Sequence, residues 1–119
     1  MTISTIILIT LAFHWVFDFV LQSRWMAENK SKSNVALGAH AGVYSIGMAL
    51  LALAIFWLTT NAVWFTLING GLHFAVDYCT SRMTSYLWQK KDVHNFFVVI
   101  GFDQLVHATT LILTINAFL

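Results

Sequence analysis

The chain has 119 residues, of which 59% are hydrophobic and 9% charged, with a formal net charge of +1. One domain of this length cannot hide so much apolar surface in a soluble core, and a mean hydropathy of +0.76 points to an integral membrane protein. The small charge argues against nucleic acid as a partner, and the one cysteine, Cys79, rules out an intrachain disulfide and reads as a small apolar filler.

In chain order, residues 2–21 are long enough to cross a hydrocarbon core of about 30 Å. With no basic residue ahead of this run and no cleavage site after it, the segment reads as a retained span rather than a secretory signal. Ser23 to Asn34 is a polar connection with Arg24, Glu28, Lys30 and Lys32. Residues 35–58 form the second span, and the uncharged turn Thr59-Thr60-Asn61 leads into the third, 62–79, as an antiparallel hairpin. Thr80 to His94 is the second polar connection, with Arg82, Lys90, Lys91 and Asp92, and residues 96–119 form the fourth span. The expected fold is all-α: residues 1–119 as one integral membrane domain, a polytopic four-transmembrane-helix bundle with antiparallel up-down order.

Lysines and arginines occur only in the two connections, which the positive-inside rule places in the cytoplasm, with both termini outside an inner (cytoplasmic) membrane. Trp25 and Trp88 lie near the inner interface and Trp57 and Trp64 flank the outer turn, as aromatic belts do. Gly38 and Gly42 bracket His40 in a small-xxx-small pattern that predicts close approach of another helix there.

Each span carries ionisable residues. His14 and Asp18, His73 and Asp77, and Asp103 and His107 are i, i+4 pairs, and His40 stands alone in the second span. Residues four apart share a helix face, and all seven fall between the cytoplasmic interface and the midplane. His94 lies near the interface on the far side of its helix and is left out. An Asp at membrane depth costs roughly 2.5–3.5 kcal/mol, and no Lys or Arg lies within a span to offset three of them. Protons, water or metal cations remain as compensators. Histidine and carboxylate together are the ligand set of zinc, manganese and iron sites in helix bundles. The seven residues His14, Asp18, His40, His73, Asp77, Asp103 and His107 are therefore read as ligands of one or two divalent ions, zinc foremost. Gln22, Asn69 and Gln104 are amides suited to hold those ligands by hydrogen bonds. Two ions would exceed three carboxylates by one charge, which a hydroxide cancels.

The motif His14-x3-Asp18-Phe19-x-Leu21-Gln22, then Trp25-Met26 and Lys30, His40, His73-x3-Asp77, and Asp103-Gln104-x2-His107 resembles the signature of a family of small four-helix bacterial and phage membrane proteins known only as a domain of unknown function. The resemblance implies a polytopic membrane protein with these residues as its hallmark and supplies no activity. In layout the chain is more loosely similar to membrane-bound metal-dependent hydrolases.

The leading functional expectation is a metal-dependent hydrolase, with no individual catalytic residue assigned, acting on an anionic lipid head group at the inner leaflet, alone or as a homodimer. Arg24, Lys30 and Arg82 serve topology first and could also attract such a head group. One alternative is transport of a divalent cation or proton, for which Thr10, Thr110 and Thr114 offer only sparse polar steps beyond the cluster. Another is a small phage or bacterial interaction or exclusion factor in which the metal staples the helices.

Overall fold

The computed structural model describes all 119 residues. It contains helices and no strand: α1 (Ile3–Trp15), continued without interruption by a π-helical turn (Val16–Val20), then α2 (Arg24–Asn29), α3 (Asn34–Phe56), α4 (Thr60–Gln89) and α5 (Val93–Phe118). Each α-helix begins at a residue whose side-chain oxygen accepts a hydrogen bond from the backbone N–H three residues on: Thr2, Ser23, Ser33, Thr59 and Asp92. Such caps satisfy amides that the first turn leaves unpaired. At α5 the Asn95 side chain and backbone N–H both donate to Asp92 and hold its carboxyl below the ordinary range.

Three stretches are long and apolar enough to cross a membrane: Ile3–Val20, Asn34–Phe56 and Val93–Phe118. Helix α4 falls short although it is the longest, 30 residues or about 45 Å at 1.5 Å per residue. Asn69, His73 and Asp77 interrupt its apolar half, which carries the expected third span, residues 62–79. Only 26 residues are buried, and Leu8, Ile46, Leu67, Phe102 and Leu113 are among many large apolar side chains that face outward. Lipid accepts such a surface readily.

Two local expectations are corrected. The stretch 80–94, read as a connection, is helical as far as Gln89, because Thr80, Ser81, Thr84 and Ser85 are polar without being helix breakers and no glycine or proline occurs there. The close approach expected at Gly38 and Gly42 is absent, since a Cβ on either would meet nothing within 4 Å. Tight packing occurs instead at Gly47, where a Cβ would fall inside the Phe17 ring, and at Gly70, against Ser45 Oγ.

Short turns at Trp57–Thr59 and Lys90–Asp92 join α3 to α4 and α4 to α5, so each pair lies antiparallel and in contact. Trp57 and Lys91 reverse the chain at φ of 58° and 59°, a half of the backbone map that costs a non-glycine residue about 1–3 kcal/mol. The apolar core, built around Met48, Leu51, Phe56, Phe65, Leu111 and Ile115, fills the end of the bundle towards the Trp57 turn. The polar cluster lies nearer the Lys- and Arg-bearing end.

Candidate metal centre

Helical spacing puts each i, i+4 pair on one face, and packing turns those faces together. His40 from α3 and His73 from α4 point their Nε2 atoms at each other across 3.0 Å. Asp18 Oδ1 lies 3.0 Å from His40 Nε2 and 3.5 Å from His73 Nε2, while Asp77 Oδ2 lies 3.2 and 3.6 Å from the same atoms. Two imidazole nitrogens and two carboxylate oxygens thus converge on one point from three segments. A second convergence, of Asp18, Asp103 and His107, shares Asp18 with the first. His107 Nε2 also lies 3.0 Å from Asp77 Oδ1 and 3.2 Å from Asp103 Oδ2. Asp77 therefore turns one oxygen towards each group.

Asp18 can serve both groups because it sits in the π turn, where the backbone bonds i to i+5, as in Leu21 N–H to Val16 O at 2.9 Å. Such turns reorient a side chain within an otherwise regular helix and recur at functional sites. Nothing in Val16-Phe17-Asp18-Phe19-Val20 marks it, since neither proline nor glycine is present.

His14 belongs to neither group. Its Nε2 lies 2.8 Å from Gln104 Oε1 and 3.5 Å from Asp18 Oδ2, and its Nδ1 lies 3.0 Å from Tyr44 Oη. Gln104 Nε2 donates to Asp18 Oδ2 and to Asp103 Oδ2, each at 3.1 Å. Carboxylates only accept, so the amide orientation follows, and Gln104 Oε1 must accept from a protonated His14 Nε2. The hydroxyl of Tyr44 then donates to His14 Nδ1. With both nitrogens engaged, His14 supports Gln104, which spans two carboxylates. Tyr44 also stacks on His73, with ring centroids 3.8 Å apart. Thr80 Oγ1 donates to Asp103 Oδ1 at 2.5 Å.

The other two amides take different places. Asn69 donates to Phe65 O and to Thr114 Oγ1 at 2.9 Å each, one turn away from the ligands. Gln22 borders the adjoining cavity with a buried Oε1 that has no partner.

Sequence reasoning placed Lys30 in a solvent-facing connection, but its ammonium donates to Asp77 Oδ2 at 3.0 Å with the side chain 22% exposed. Its place in the motif with His40, His73 and Asp77 and its positive charge were the advance signals, and neither pointed to Asp77 as its partner. Arg24 instead pairs with Glu28, and Arg82 bonds Tyr78 O and Asn34 Oδ1. With neutral histidines, three carboxylates against one ammonium leave two negative charges, the charge that a single divalent ion cancels. With Lys30 counted, two divalent ions would exceed the three carboxylates by two charges rather than one.

The donor set fits a metal with one cost. When His40 and His73 present Nε2 lone pairs to a cation, each carries its proton on Nδ1, and both of those atoms are buried without a partner. A histidine ligand ordinarily donates that proton to an acceptor. Two unpaired donors cost about 1–3 kcal/mol each, less than the roughly 10–16 kcal/mol of apparent free energy that structural zinc sites supply in other proteins, so the four residues could still hold an ion.

A cavity of about 760 Å³ adjoins the second group and is bordered by Asp18, Asp103, Gln104 and Thr80. None of His40, His73, Asp77 and His107 borders it. The first group is enclosed, whereas Asp103 keeps 14% of its side chain exposed. On the other side, the hydroxyls of Thr10, Thr110 and Thr114 donate to carbonyls of their own helices, and the apolar core follows.

Comparison with known proteins gives one match: a family model described as Protein of unknown function (DUF3307) covers residues 6–119. No curated protein and no solved structure matches the chain.

Proposed function

Because the chain belongs to the DUF3307 family, whose description assigns no activity, we propose a function from the site itself: a four-span membrane protein that holds divalent metal and hydrolyses phosphoesters at the cytoplasmic face. The observation that carries this reading is the difference between the two ligand groups. Asp18, His40, His73 and Asp77 offer four ligand atoms in an enclosed setting, the pattern of a structural zinc site. Asp18, Asp103 and His107 offer three beside an open cavity, the pattern of a catalytic site that keeps a position for water or substrate.

A divalent ion in the second group supplies acidity to water and polarisation to a phosphoryl oxygen. The protein's own residues do the rest. Gln104 fixes the spacing of Asp18 and Asp103, His14 and Tyr44 fix Gln104, and Thr80 orients the remaining oxygen of Asp103. Four spans follow if α4 crosses with the others, its polar residues covered by α3 and α5. The Lys- and Arg-bearing connections then face the cytoplasm, and so does the mouth of the cavity.

A transport reading is weaker. A conducted ion would have to pass Met48, Leu51, Phe65, Leu111 and Ile115 beyond the cluster, and the threonines of α1 and α5 turn their hydroxyls to the backbone rather than into a path. Element analysis of protein purified under metal-replete conditions tests the shared premise. Wild type should carry one or two equivalents of zinc, manganese or iron and Asp18→Asn markedly less. Metal-free wild-type protein would defeat the proposal.

A further inference from the structure

The cavity has a wall that no contact within the site explains. Ser81 is 7% exposed and borders the cavity, yet its buried Oγ has no partner, and Gln22, which borders the same cavity, has a buried Oε1 with none either. Buried polar groups are nearly always paired, so these two mark a polar wall, which Asp18, Asp103, Gln104 and Thr80 extend along the same cavity. Thr84 and Ser85 continue the hydroxyl face along α4, and Lys30 adds a positive charge. The opposite side of the same cavity is apolar, formed by Phe19 after Asp18 and by Phe97 and Ile100 on α5. These residues come from two of the segments apolar enough to cross a membrane, and Phe19 and Phe97 are exposed. Their exposed rings are therefore placed where acyl chains would meet them if these two segments span a bilayer.

Charge narrows the occupant. With both ligand groups filled, two divalent ions and Lys30 against three carboxylates would leave an excess of two positive charges, which a phosphomonoester dianion cancels, its second pKa lying near 6. A phosphodiester carries one charge and a carboxylic ester none.

Resting on the hydrolytic reading above, we propose that the substrate is a phosphomonoester lipid of the surrounding leaflet. Its phosphate lies beside Asp18 and Asp103 with Lys30 donating to a free oxygen, and metal held by Asp18, Asp103 and His107 would polarise it. Its chain leaves between Phe19 and the Phe97–Ile100 face of α5. In the reaction, water oxygen bonds to phosphorus and the phosphorus–oxygen bond to the lipid breaks with its electron pair. The proton released by water ends on the leaving oxygen, giving a lipid alcohol and inorganic phosphate.

The experiment compares phosphatidic acid with glycerol 3-phosphate, the same head without chains, using full-length protein in mixed micelles with manganese or zinc. Phosphate release is measured together with retention of phosphatidic acid by native mass spectrometry. Wild type should turn over phosphatidic acid at least tenfold more efficiently than glycerol 3-phosphate. Ile100→Trp should cut that advantage tenfold while metal content stays at the wild-type level. Phe97→Glu, at an exposed position, does the same should the tryptophan disturb folding. Equal turnover of the two substrates, or lipid turnover untouched by both variants, overturns the proposal. If metal-loaded protein hydrolyses neither compound, the hydrolytic reading fails on its own. Retention of phosphatidic acid that Phe97→Glu abolishes would then uphold the lipid seat, and its absence would remove that too.

Discussion

Replacing Lys30 by methionine should weaken the metal-free protein and strengthen its grip on metal. The ammonium lies 3.0 Å from Asp77 Oδ2, and at an effective dielectric near 20 the Coulomb attraction at that distance is about 5–6 kcal/mol. Part of this is offset by lost hydration of both charges, and breaking a largely buried pair costs about 3–5 kcal/mol. With 22% of the lysine side chain exposed, the lower end, about 3 kcal/mol, applies. Metal-free Lys30→Met should therefore be about 3 kcal/mol less stable than wild type. A divalent ion, by contrast, meets an Asp77 oxygen with no competitor. If most of that 3 kcal/mol is recovered on coordination, the affinity rises roughly a hundredfold, at about 1.4 kcal/mol per tenfold. Titration calorimetry with zinc in detergent, paired with thermal melts of the metal-free and metal-loaded forms, measures both halves. Unchanged or weaker zinc binding by a folded Lys30→Met protein would refute the view that Lys30 holds a cation position.

Gly47→Ala should destabilise by about 1–3 kcal/mol, because its Cβ would enter the Phe17 ring, whereas Gly38→Ala, facing open space, should gain about 0.5–1 kcal/mol from helix propensity; paired thermal melts decide, and equal shifts would contradict the packing. Tyr44→Phe removes the hydroxyl that holds His14 but keeps the stack on His73, so, leaving a buried ring nitrogen unpaired, it should cost about 1–3 kcal/mol, retain bound metal and lower turnover, as element analysis and kinetics would register. Asp92 has a lowered pKa because Asn95 bonds its charged form, so the cap on α5 is complete above the unfolded value, about 3.9, and is lost as pH falls through the lower folded value. The Asn95 amide resonance followed from pH 6 to pH 2 should move at the depressed midpoint, and should lose that step in Asp92→Ala.

Much of this architecture can be read without coordinates because its causes are local. Apolar runs of membrane length and polar residues at i, i+4 follow from helix geometry alone, and so did the expectation that His40, His73, Asp77, Asp103 and His107 share a layer with Asp18. Gln104 could be named as a holding residue because it lies beside Asp103 and an amide adds no charge.

Other features depend on three-dimensional packing. The π turn that aims Asp18 at both ligand groups leaves no mark in residue type, since backbone register yields there to the contacts that Asp18 makes. Lys30 reaches Asp77 because α2 folds back over the bundle, and position 30 on a polar loop gives no hint of that. His14 was grouped with the ligands on spacing, yet tertiary hydrogen bonds to Tyr44 and Gln104 engage both its nitrogens. Sequence periodicity states which way a side chain leaves its own helix; only the packed bundle decides what it meets, and here that separates an enclosed ligand group from one beside an open cavity.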